Sequence, residues 1–384
     1  MLMKKISICI ISPDYPSKDR PVFTFVEQLV EEFAVLGAHC IVIAPFSITK
    51  SIMKWTSFTK KYEVKKTKCG DEIEIRRPRF ISFSNLEIFG FSLSRYYHAC
   101  AVGRELKKIK DKPDILYSHF WVSGRECYPY AIKNDIKMII ASGESTIPNI
   151  MSSKKYNISD FRDYISGVIC VSEKNKTESI KKGLITPQKC IVLHNGVDLS
   201  KFYLKNKHDS RKALGFSDSD FIIVFVGHFN HRKGISRLTA ALKILNEQKI
   251  KSIFIGSGPL VPDCEGILFK GSINHDSMVD YLNCGDIFIL PTLNEGCCNA
   301  IIEAMACGLP IISSDLPFNH EILNNENSIL VNPNDIGAIS NAIMQLKNDL
   351  HLREKLSFGA LKTAKSLSIK GRAEKIIKFI DSFL

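Results

Sequence analysis

One stretch constrains the fold more than any other. Residues 286–312 read DIFILPTLNEGCCNAIIEAMACGLPII. The apolar run 286–291 has the composition of a buried strand. A loop follows, then Asn299 as the expected N-cap and an apolar helix over 300–307. Gly308 stands at the position just past the helix end, with Pro310 beyond it. Ile311 and Ile312 begin another apolar strand. The result is a strand–loop–helix–strand unit with one carboxylate in the loop, Glu295, and another in the helix, Glu303. A loop feeding a helix N-terminus offers free N–H groups and partial positive charge, which suits an anion such as phosphate. Two carboxylates flanking such a site do not bind phosphate. They suit hydroxyl-rich groups on either side of it, a sugar and a ribose. The plainer alternative is an ordinary βαβ crossover carrying two solvated glutamates.

Strand, loop and helix alternate along the rest of the chain. The apolar run 6–12 ends in a loop rich in Pro and Asp. Phe23, Val26, Leu29, Val30, Phe33 and Leu36 mark one helix face, stopped by Gly37, and 40–44 is the next strand. Further strands are expected at 114–119, 138–141, 168–171 and 190–194. Ser172 and Glu173 open a helix that Gly183 closes. The second half starts the pattern again with 221–226, the loop Gly227-His228-Phe229-Asn230-His231-Arg232-Lys233-Gly234, and a helix from about Ile235. A glycine-bounded loop carrying cations ahead of a helix N-terminus is a phosphate site on physical grounds. Asp218-Ser219-Asp220 has the spacing of a metal motif but precedes its strand, so it reads as a solvated loop. More strands are expected at 252–255, 267–271 and 329–331, with helices at 276–283 and from Asp335 onward.

Glu295-Gly296, six residues, Glu303-Ala304, then Gly308-x-Pro310 and an apolar strand resembles the signature of glycosyltransferase family 4. The resemblance implies an α/β protein of the GT-B fold: two Rossmann-like domains facing across a cleft, with a C-terminal helix crossing back to the first. It implies a retaining, nucleotide-sugar-dependent enzyme that needs no cofactor or obligatory metal. Asn195-Gly196-Val197-Asp198 is similar to the family's inter-domain junction. The expected domains are therefore 1–202 for the acceptor, 203–368 for the nucleotide-sugar, and a helix at 369–384 packing on the first.

The same resemblance assigns roles. Glu295 lies by the transferred sugar and Glu303 by the ribose. His119, ending a strand, lies near the reaction centre. Lys233-Gly234 matches the family's diphosphate loop. The family's Arg after the first glycine is replaced by His228, and a neutral imidazole holds a phosphate less firmly than a guanidinium. Arg232 is the nearest fixed cation, so the diphosphate is assigned to Gly227, His228, Arg232, Lys233, Cys297, Cys298 and Asn299. Ser272, Ile273 and Asn274 occupy the nucleobase position, and Glu321 that of the family's closing acid. Gly143 and Glu144 stand near the acceptor. Arg20 lies in the first loop, where the family has paired glycines and this chain has Asp19-Arg20-Pro21.

Charge bears on partners. The net charge is +12, and residues 1–200 carry 31 Lys and Arg against 21 Asp and Glu, whereas 201–384 carry 21 against 19. A basic first half suits an anionic partner. Lys50, Lys54, Lys60, Lys61, Lys65, Lys66 and Lys68 interleave with Trp55, Phe58 and Tyr62, a pattern that suits either an anionic bilayer surface or a solvated loop or helix. Nucleic acid is disfavoured because no recognition motif accompanies the charge. The twelve cysteines form no Cys-x-x-Cys pair, and Cys9, Cys40, Cys170 and Cys190 lie in apolar runs, as in a reducing compartment. The N-terminal apolar run reads as a core strand and not a leader, so a cytoplasmic protein is expected, peripheral on the inner face of the membrane if the basic segment binds there.

The expected activity is transfer of a sugar from a UDP- or GDP-sugar to a glycan or lipid-linked acceptor in bacterial surface-polysaccharide assembly. A nucleotide-sugar epimerase, a glycan phosphorylase and a non-catalytic nucleotide-sugar-binding protein would share the fold.

Overall fold

The computed structural model describes residues 5–17, 20, 22–53, 58–83, 87–88, 91–148 and 157–384. The chain divides into two compact units, Met1–His194 with Arg372–Leu384, and Asn195–Gly371. The first break falls earlier than the 202/203 boundary expected from sequence. The reason is packing: Val197 and Phe202 are buried in the hydrophobic core of the second unit. The second falls inside the last helix, Ile369–Asp381, rather than ahead of it.

In the first unit eight strands form one sheet: β1 (Ser7–Ile11), β2 (His39–Ile43), β3 (Tyr62–Lys66), β4 (Glu72–Arg76), β5 (Ile115–His119), β6 (Lys137–Ser142), β7 (Gly167–Cys170) and β8 (Cys190–Val192). Their order is β8-β7-β6-β5-β1-β2-β4-β3, with every pairing parallel except β3 on β4. The runs SICII and HCIVI are apolar at successive residues because helices cover both faces of a parallel sheet. The segment 50–68, expected as a loop or helix, is instead partly the edge strand β3. Lys65 on that strand pairs with Glu27 at 2.7 Å and Glu31 at 2.6 Å, while Lys54 and Trp55 lie outside the described residues. The helix Glu173–Lys181 starts as expected, with the Ser172 hydroxyl accepting from Asn175 N–H at 3.2 Å.

The second unit holds six parallel strands, β9 (Phe221–Val226), β10 (Ile250–Ile255), β11 (Ile267–Gly271), β12 (Ile287–Leu290), β13 (Ile311–Ser314) and β14 (Ser328–Val331), in the order β11-β10-β9-β12-β13-β14. The chain runs outward from β9 to β11, then returns to lay β12 on the other side of β9. Strand order reverses between β9 and β12, and ligands of open α/β sheets bind at the carboxyl edge of that point. In the first unit the reversal lies between β1 and β5.

A buried carboxylate ties the opposite edge of the second sheet together. Asp286, just before β12, accepts from Arg211 Nη2 and from Ile222 N–H, each at 2.7 Å, and from Lys207 Nζ at 2.7 Å. Arg211 is buried and its other guanidinium nitrogens donate to the carbonyls of Cys284, Ser217, Asp218 and Asp220. Removing one partner of such a pair strands a buried charge. Asp286→Ala should therefore cost about 3–5 kcal/mol. Lys207, nearly half exposed, should cost about 1 kcal/mol or less when changed to Ala. Urea unfolding followed by circular dichroism checks this; equal midpoints for the two variants would contradict it.

Candidate active site

Two loops leave the carboxyl ends of β9 and β12, the strands on either side of the reversal. The first is 227–234, leading into the helix Ile235–Leu245; the second is 291–298, leading into the helix Asn299–Ala306. They touch closely at Gly234, whose φ is +83° and where an added Cβ would come within 2.3 Å of the Pro291 carbonyl oxygen. Only glycine satisfies both conditions. Arg237, from the turn that follows, donates to the same carbonyl at 2.8 Å.

Glu295 joins the loops. Its Oε1 accepts from Arg232 Nη1 at 2.6 Å and from Thr292 Oγ1 at 2.9 Å, and stands 2.7 Å from Lys233 Nζ. Arg232 is bound further into the second loop: its Nη1 donates to Asn294 O at 2.5 Å, and its carbonyl accepts from Leu293 N–H at 2.8 Å and Thr292 Oγ1 at 3.2 Å. Lys233 Nζ also lies 3.9 Å from Cys298 Sγ. Burial works against the Lys233 ammonium, but the Glu295 carboxylate beside it favours the charged form, and its pKa is raised. Burial pushes the Cys298 thiol up as well, which disfavours the thiolate form. Lys233 is thus a fixed cation beside the N-terminus of the helix Asn299–Ala306.

That helix begins one residue earlier than expected. Cys298 is the N-cap and makes no side-chain capping bond, so Asn299 is the first helical residue and not the cap. Its Oδ1 is buried and has no hydrogen-bond partner among the described residues. The helix closes as expected at Gly308, in the left-handed region at φ +77°. Asn195 Nδ2 donates to the Cys297 carbonyl at 3.0 Å, holding the loop from its other side.

Glu303, one turn into the helix, lies 3.4 Å from His275 Nε2. His275 follows Asn274 directly and starts a short 3-10 turn, Met278–Asn283 being the α-helix proper where 276–283 had been expected. Ser272 and Asn274 are exposed and Ile273 packs against the core. His228 is exposed. The structure thus gathers Arg232, Lys233, Glu295 and Cys298 into one cluster and sets Glu303 beside the 272–275 loop. Thr292 and Arg237 were not legible in the sequence, since their partners Arg232 and Pro291 lie over 50 residues away and leave no local pattern.

In the first unit His119 ends β5 at the strand reversal, opposite Ala141 of β6. It is buried, edge-on to Tyr117 and Phe25, and its Nε2 has no hydrogen-bond partner among the described residues. The next residue, Phe120, has φ +73°. The turn is held by Glu144, whose carboxylate accepts from Trp121 N–H at 2.8 Å and from Ser142 Oγ at 3.0 Å. Burial raises the Glu144 pKa against those bonds. Arg20 pairs with Asp14 at 2.5 Å, and its side chain is 44% exposed.

Two family models divide the chain between them. Glycosyltransferase Family 4 matches residues 22–201, and Glycosyl transferases group 1 matches residues 220–349. The chain is a glycosyltransferase, with a Glycosyltransferase Family 4 domain followed by a Glycosyl transferases group 1 domain. Within this glycosyltransferase the first match contains His119, Gly143 and Glu144, and the second contains both loops and Glu303; Arg20 lies just outside. TuaC of Bacillus subtilis, named as a teichuronic acid biosynthesis glycosyltransferase, is 25% identical over 398 residues, 94% of this chain and 97% of its own. The UDP-Gal:alpha-D-GlcNAc-diphosphoundecaprenol alpha-1,3-galactosyltransferase of Escherichia coli is 31% identical over 227 residues, 54% of this chain and 58% of its own. The solved sucrose-phosphate synthase of Thermosynechococcus elongatus shares the fold, with a TM-score of 0.77 at 17% identity over 99% of both chains. The glycosyltransferase therefore has the GT-B fold.

His119 supplies a pH test. Burial, and next the Arg372 guanidinium, lower its pKa from 6.5 to about 3. Below pH 6.5 the unfolded chain binds a proton that the folded chain refuses. The stability carried by neutral His119 is therefore present above pH 6.5 and is lost as the pH falls toward 3. His119→Gln should remove about 2 kcal/mol of the stability lost between pH 7 and pH 5. Unfolding curves of both proteins at the two pH values measure this; parallel losses would show that His119 titrates normally when folded.

Proposed function

We propose that this glycosyltransferase moves a sugar, with retention at the anomeric carbon, from a UDP- or GDP-sugar to a lipid-linked glycan during assembly of a bacterial surface polysaccharide. The observation that carries the donor reading is the Lys233–Glu295 pair beside the N-terminus of the helix Asn299–Ala306, at the strand reversal of the second unit. A departing nucleoside diphosphate needs its negative charge stabilised where it develops. Lys233 and the helix N–H groups supply fixed positive charge there without a metal or other cofactor. Glu295 takes the hydroxyls of the transferred sugar, and Glu303, next to the 272–275 loop, takes the ribose. The C1–O bond to the diphosphate breaks, the bond to the acceptor oxygen forms, and the departing phosphate accepts the acceptor's proton. His119 serves the sugar as a neutral imidazole, since its burial keeps it uncharged at working pH.

The acceptor reading rests on two supports. The Bacillus and Escherichia relatives are named for teichuronic acid biosynthesis and for a diphosphoundecaprenol-linked substrate. The first unit also exposes Ile52, Met53, Phe58 and Tyr62 among Lys50, Lys60 and Lys61. Apolar side chains rimmed by lysines suit an anionic bilayer surface. Cytoplasmic placement at the inner membrane face follows from such a donor and acceptor.

Two experiments test these parts separately. On a donor found by thermal-shift screening of UDP- and GDP-sugars, Glu303→Ala should chiefly raise the donor KM and Glu295→Ala should chiefly lower kcat; wild-type kinetics in both would sink the site assignment. Anionic vesicles should sediment the protein at low salt and release it at high salt. Equal sedimentation with neutral vesicles, or none with either, would sink the membrane reading.

A further inference from the structure

The sequence alone gives Arg232 to the donor's diphosphate. Its bonds point elsewhere. The Arg232 guanidinium, through Nη1, reaches both Asn294 O at 2.5 Å and Glu295 Oε1 at 2.6 Å. Its carbonyl accepts from Leu293 N–H and Thr292 Oγ1. Four contacts thus run between Arg232 and the stretch 292–295. The single Thr292 hydroxyl proton is shared between the Arg232 carbonyl and the same carboxylate oxygen, so Thr292 bridges residue 232 to Glu295. The two neighbouring cations differ in their surroundings. Lys233 is mostly buried, with Nζ near Cys298 at the start of the helix Asn299–Ala306. Arg232 is the more exposed, and its bonds go to the 292–295 turn.

From this we infer that the pair has divided roles: Lys233 receives the diphosphate, and Arg232 is a positioning residue that sets the Glu295 carboxylate for the hydroxyls of the transferred sugar. The inference rests on the donor reading above. It places sugar selection, and not nucleotide affinity, under the control of Arg232. A carboxylate held by a guanidinium, a hydroxyl and an ammonium at one oxygen has little freedom to swing, and orientation of this kind governs how well a hydroxyl pattern is distinguished.

Calorimetric titration of UDP, GDP and their glucose and galactose conjugates into wild type and variants tests it. In Arg232→Ala the Kd for the nucleoside diphosphate alone should stay within about twofold, while the extra affinity contributed by the sugar, and kcat, should fall roughly tenfold or more. Lys233→Ala should weaken the nucleoside diphosphate itself at least about tenfold. Arg232→Ala added to Glu295→Gln should cause little further loss, because both changes remove one arrangement. Arg232→Lys should recover part of the sugar-dependent term, which a collapse of the loop would not allow. If Arg232→Ala weakens the bare nucleoside diphosphate as much as Lys233→Ala does, or if its loss multiplies with that of Glu295→Gln, the positioning role is overturned and the donor reading survives. If wild type binds none of the nucleotides, the donor reading falls and this inference falls with it.

Discussion

The carboxylate of Glu295 holds the candidate site together. It collects an arginine, a lysine and a threonine hydroxyl, and through them joins loops that leave two neighbouring strands. A carboxylate this buried is costly unless it is paired and hydrogen-bonded, and both conditions are met. Its partners are equally constrained: Lys233 would not keep a proton readily in a buried place without an anion beside it. The pairing is thus mutual, and it keeps fixed charge at the point where the sheet opens toward a ligand.

That position follows from topology. Six apolar strands, covered on both faces, can form one parallel sheet only if the chain crosses over between them. Once β12 returns beside β9, the loops after both strands diverge at their carboxyl ends and leave room. Gly234 lets the first loop press on Pro291, and the helix Asn299–Ala306 directs its N-terminus at the opening. The first unit repeats the scheme around β1 and β5, where His119 sits. Burial against Phe25 and Tyr117, with the Arg372 guanidinium nearby, makes a neutral imidazole there, a different chemistry from the charged cluster of the second unit.

How far the sequence revealed this depended on the range of the interactions. Continuous apolar runs such as FIIVFV mark buried parallel strands, and all six strands of the second unit were legible within a few residues. Ser172 and Gly308 worked as caps because capping is local. Asn299 did not: the turn residue is Cys298, and cap preference yields when tertiary contacts set the loop. The helices Leu93–Leu106 and Trp121–Asn134 gave no clear signal, since Gly103, Gly124 and Pro129 interrupt their pattern. Edge strand β3 was hidden among lysines. The Arg232–Glu295 pair spans 63 residues, and no local rule could have joined them. The family motif assigned Glu295 and Lys233 to a ligand each but did not pair them with each other.

The central claim is that a nucleoside diphosphate seats on the two loops of the second unit. Amide hydrogen exchange measures this directly. With UDP or GDP added at saturating concentration, exchange should slow in the peptides covering 227–234 and 291–300. Protection confined to other segments, with these two loops exchanging as in the free protein, would contradict the account.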